Sequence, residues 1–138
     1  MLQKAYRSLI LEGDTSAQGV ENAIALVDQA KPFDTTAINQ FLYLNEGLCW
    51  YGSVYGHAAK VLEICDKAVN TVPNDKAFRV SRGLARALTG NVNGAIADFQ
   101  FFIDHTPDAA HKEDPQRWLT ALKAGQNPFT PAELEKLK

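Results

Sequence analysis

Apolar residues recur along this chain at steps of three and four, and nowhere alternate with polar ones for long. That is the period of helices with one buried face, not of half-buried strands. Leu2, Ala5, Tyr6, Leu9 and Ile10 predict a first short helix that stops at Gly13. Val20, Ala23, Ile24, Val27 and Ala30 predict a second, ended by Pro32. "FDTT" at 33–36 offers capping side chains for a third, from Ala37 to Val54, which Gly56 breaks. A fourth is predicted from Ala58 to Thr71, stopped by Pro73. Asn74 or Asp75 caps a fifth that runs to Leu88 and ends at Gly90. A sixth spans Val92 to His105 and is stopped by Pro107. Asp114 as N-cap with Pro115 in the first turn predicts a seventh, ending at Gly125. Thr130, Pro131 and Glu133 predict a capping box for a last helix. The fold class expected is all-α.

The punctuation itself repeats. Gly56 and Gly90 stand 34 residues apart, as do Pro73 and Pro107. Helical phase agrees across that interval: Val61 and Leu62 align with Ala95 and Ile96, and Val69 with Ile103. Such a period marks stacked supersecondary units. Within the second window, Gly83 and Ala95 are expected to be small because two antiparallel helices cross there closely. Phe99 then fills the space beside that crossing, and Gly90 takes the left-handed conformation that ends a helix.

The 34-residue period and these residues resemble the tetratricopeptide repeat family. Gly83, Ala95, Phe99 and Pro107 match its pattern, while Arg79, Arg82 and Arg86 stand at its Trp, Leu and Tyr places. In the preceding window Leu48 and Pro73 match, and small Cys49 holds the Gly place; Asn45, Gly52, Val61 and Cys65 depart. "SRGLARALTG" followed by "GAIADFQFFI" is also similar to the tetratricopeptide-like C-terminal tails of large bacterial multidomain signalling proteins. The resemblance implies a single α-solenoid domain over 1–138, built of antiparallel helix pairs. Residues 1–34 would be a divergent pair, 42–75 a degenerate repeat, 76–109 a repeat, and 110–138 C-terminal capping helices. Trp118, Leu119 and Leu122 would form the covering face of that cap.

Composition narrows the function classes. With 46% apolar and 22% charged residues, the 138-residue chain reads as one folded domain. A net charge of −2 argues against nucleic acid as the partner. The N-terminus carries no signal-peptide pattern, and no apolar run approaches the roughly 20 residues needed to cross a bilayer. A cytoplasmic protein without membrane association is expected. Cys49 and Cys65 both lie in apolar helical patterns and are expected to be buried free thiols.

Candidate chemistry is sparse. "DHTPDAAHKED" at 104–114 gathers His105 and His111 with four carboxylates, which could bind a divalent metal. Their spacing matches no ligand pattern and straddles a Pro-containing connection, so a solvated linker is expected. No nucleophile–base pair stands out. The expectation is a non-enzymatic chain with no cofactor and no metal.

The resemblance implies a concave groove lined by the first helix of each pair: Tyr43, Glu46, Trp50 and Ser53, then Ala77, Val80, Leu84 and Ala87. The Lys and Asn that clamp a terminal carboxylate in chaperone-binding relatives are missing there. Such a groove suits a hydrophobic helix or peptide of a partner protein, making the chain an adaptor. It could instead be filled by the chain's own helices or by a second copy, giving a homodimer or an intramolecular regulatory domain. Arg79, Arg82 and Arg86 share one helical stripe, fit either for an acidic partner or for internal pairing with Glu63, Asp66 and Asp98.

Overall fold

The computed structural model describes residues 15–30 and 42–138. The expected helix over Leu2 to Ile10, the FDTT cap and the start of the third helix lie outside the described residues. The helices are α1 (Ala17–Ala30), α2 (Leu42–Val54), α3 (Ala58–Thr71), α4 (Lys76–Leu88), α5 (Val92–Asp104), α6 (Ala109–Lys123) and α7 (Pro131–Lys136). Among the described residues the secondary structure is all helix.

Short polar side chains start these helices by taking up amides that have no partner within the first turn. The Asp75 carboxylate accepts from the amides of Ala77 and Phe78, and the Asn91 carbonyl accepts from Gly94. At α6 the expected start is corrected. Asp108, not Asp114, is the N-cap, accepting from the Ala110 amide, so Pro115 falls inside the helix. Proline there removes the amide that would bond the His111 carbonyl, and the helix continues because Pro115 is itself buried. Much of the expected linker is therefore helical. At α7, Thr130 accepts from the Glu133 amide as expected. The Glu133 carboxylate, however, turns to α6 rather than back to its own cap.

The repeat is visible in the helix boundaries. Starts of α3 and α5, Ala58 and Val92, differ by 34 residues, as do the ends of α2 and α4, Val54 and Leu88. Gly56, Gly90 and Gly125 follow α2, α4 and α6, with φ of 90°, 89° and 74°. The third glycine makes the C-terminal region look like a shortened third pair, α6 with α7. A Cβ on Gly90 would meet nothing within 4 Å, so Gly90→Ala carries only the backbone penalty. It should cost about 1–2 kcal/mol, read as a lower urea midpoint with an unchanged slope.

Consecutive helices from α1 to α6 pack against one another, and α4 also packs against α2. At the α4–α5 crossing, a Cβ on Gly83 would fall 2.7 Å from Phe99 Cε1 and 3.2 Å from Asp98 Cβ. Ala95 and Phe99 are fully buried beside it. The equivalent places one repeat earlier are Cys49 and Cys65, and there the helices are joined covalently. The two sulfurs form a disulfide between α2 and α3, with Cα atoms 5.1 Å apart. The expectation of buried cysteines holds, but that of free thiols is corrected. Closing a segment of 16 residues removes freedom from the unfolded chain, worth about 3 kcal/mol. Protein unfolded without reductant should show no free thiol, and reduction should lower the urea midpoint accordingly.

Candidate functional site

The arginine stripe of α4 is consumed internally. Arg82 donates through Nε and Nη2 to both oxygens of Asp98, at 2.9 and 2.8 Å. Arg86 Nη1 adds a bond of 3.1 Å, and Arg79 Nη1 lies 3.5 Å away. Asp66 on α3 sits 3.7 Å from Arg82 and 3.8 Å from Arg86, outside the Asp98 contacts. Asp98 is wholly buried and Arg82 nearly so, which is tolerable only because the charges are paired and hydrogen-bonded. Arg79 is further held by the Pro73 carbonyl, at 2.9 Å, and by the face of Phe101. Asp66 and Asp98 are carboxylates that meet the stripe, and Glu63 lies within ion-pair distance of Lys67.

The residues expected to line a groove divide into two groups. Leu84 is fully buried in a cluster with Phe99, Trp118 and Phe129, so it cannot be a contact surface. Ala87 packs on the same cluster, and Ser53 is buried, donating to the Cys49 carbonyl. Tyr43 belongs to α2, but its side chain lies outside the described residues. Glu46, Trp50, Ala77 and Val80 do come together, around a concavity of about 290 Å³ between α2 and α4. Tyr51, Ser81 and Phe102 complete its walls. Those last residues were missed in the sequence. Their helical offsets carried the signal: Ser81 is one turn from Ala77, and Phe102 is one turn beyond Phe99.

Glu46 sets the electrostatics of this concavity. Its Oε1 accepts from the Ser81 hydroxyl at 2.8 Å. Burial pushes its carboxyl above the usual glutamate value; the Ser81 bond opposes that rise, and neighbouring Asp75 adds to it.

The Leu84 half of the expected groove is covered by the chain's own C-terminus. Leu134 and Leu137 pack on the Leu84–Trp118 cluster, and Phe129 is buried between Phe99 and Trp118, with ring centroids 6.1 and 5.2 Å away. The Trp50 indole donates to the Leu137 carbonyl at 3.3 Å, while the Lys138 ammonium lies over the Tyr55 ring. Glu133 anchors this segment by accepting from Arg117 at 2.7 Å and from the Trp118 indole at 3.0 Å. Those bonds hold the Glu133 carboxyl below its ordinary range.

Elsewhere the surface offers less. An open concavity of about 760 Å³ runs along α6 past Ala109, Ala110, Glu113, Arg117, Thr120 and Ala121, with no aromatic wall. His105 Nδ1 meets the Phe101 carbonyl and its ring stacks on Phe101, while His111 meets Asp108. Among the described residues no three His, Cys, Asp or Glu side chains are placed to hold a metal ion. Nor is any described helix long and apolar enough to cross a membrane. Comparison with protein-family models, with curated proteins and with solved structures finds no match to this chain.

Proposed function

We propose that this chain is a tetratricopeptide-like helical-repeat module that docks a helix or peptide of a partner protein between α2 and α4. One observation carries the reading: Trp50, Val80 and Phe102 wall a concavity between the first helices of successive pairs. All three are only partly buried. Aromatic anchors in a preformed hollow are the usual centre of a protein interface. The 34-residue offset of helix boundaries supports the repeat assignment, which rests on the chain's own pattern.

A second reading is favoured by the C-terminal segment. Its leucines occupy the other half of the same face, so the module is partly self-filled and a partner must use what remains, or displace it. The disulfide bears on location. Such bonds persist in oxidising compartments and are rare in cytosolic proteins, which weighs against a cytoplasmic placement.

Panning a displayed peptide library on the folded chain tests the docking role. Enriched peptides should lose roughly tenfold or more in affinity on Val80→Asp, because a charge then lies in the apolar wall. They should be unaffected by Glu113→Ala on the outer face of α6. Peptides indifferent to Val80→Asp, or no enrichment at all, would remove the groove from the account.

A further inference from the structure

Resting on that docking role, we propose that the Glu46 end of the groove is a cation site. It takes the ammonium of a lysine side chain carried by the partner, between the Glu46 carboxylate and the rings of Trp50, Tyr51 and Phe102.

The contrast among carboxylates points this way. Asp66, Asp98 and Glu133 each have at least one arginine within 4 Å, and Asp75 caps α4 with backbone amides. Glu46 is partly buried, like Asp66 and Asp75, yet among the described residues no lysine, arginine or histidine pairs with it. Ser81 supplies one neutral hydrogen bond, and Asp75 nearby makes the local potential more negative. A half-buried carboxylate in that state is best completed by a positive charge brought from outside.

The walls suit the same ligand. Trp50, Tyr51 and Phe102 are partly buried aromatics, and aromatic faces attract cations. Phe102 belongs to none of the buried clusters, so it is not explained as core. A volume of about 290 Å³ admits one side chain of a docked helix or peptide, and Ala77 and Val80 can line its methylene stem. Lysine is favoured over arginine because Oε1 already accepts from Ser81. The two-pronged carboxylate face that guanidinium prefers is therefore partly taken, whereas a compact ammonium needs one free oxygen.

The test uses N-acetyl-lysine methylamide and its norleucine counterpart as probes, titrated at millimolar concentrations into the full chain. The Trp50 indole N–H resonance reports occupancy, with Trp118 as internal control. The expected result is saturable movement of the Trp50 signal by the lysine probe alone, weakened at least tenfold in Glu46→Gln. That variant should fold at least as stably as the parent at neutral pH. A carboxyl whose value is raised by folding disfavours the native state as pH rises through that value, and the neutral amide removes the cost. Equal response to norleucine would overturn the cation site while leaving the groove in place. No response to either probe would also overturn it, and the groove would then stand or fall on the panning result with Val80→Asp.

Discussion

Asp98→Ala is expected to destabilise the protein by about 3–5 kcal/mol, the usual consequence of breaking a buried ion pair from one side. The size follows from what is left behind. Asp98 is completely buried and takes both prongs of Arg82 and a bond from Arg86, with Arg79 alongside. Without it Arg82, only 7% exposed, keeps Asp66 alone at 3.7 Å. Asp98→Asn should recover part of the loss, since an amide oxygen still accepts but the charge is gone. Urea midpoints of the three proteins give the answer. An Asp98→Ala protein within 1 kcal/mol of the parent would mean the arginine stripe is solvated, restoring it as a surface for an acidic partner.

Phe129→Ala has a comparable expected cost, about 3–5 kcal/mol, because a fully buried aromatic is replaced by a methyl group. Phe129 is 3% exposed and packs with tilted rings on both Phe99 and Trp118. It also ties α7 to the rest of the stack, since it stands just before the Thr130 cap. The loss should therefore be accompanied by weaker protection of the Trp50 and Trp118 indole protons, which donate to Leu137 and Glu133. Near-native stability with unprotected indoles would show a C-terminal segment that leaves the face readily. That outcome would favour displacement by a partner over permanent self-filling.

Much of the fold was legible because helix signals in this chain are local. Asp75, Gly90 and Thr130 act where the pattern places them, through hydrogen bonds or backbone conformations within one turn. The start of α6 was misread for a physical reason. A buried proline in a second turn is tolerated when a better-placed aspartate lies upstream, and Asp108 is that residue. The disulfide was legible in principle: Cys49 and Cys65 fall on the repeat places of Gly83 and Phe99, which touch across the helix pair. Reading each cysteine as an isolated apolar residue concealed this. The site was legible only in part. Glu46, Trp50 and Val80 share a face by helical periodicity. The return of Leu134 and Leu137 to cover Leu84 depends on how a short helix docks at long range, which no local pattern encodes.

The most direct measurement is chemical-shift mapping of a library-selected peptide bound to the labelled chain. Docking between α2 and α4 predicts shifts concentrated on Glu46, Trp50, Ala77, Val80 and Phe102. Shifts confined to the outer face of α6, around Ala110, Glu113 and Thr120, would contradict the account and move the binding surface to the end of the stack.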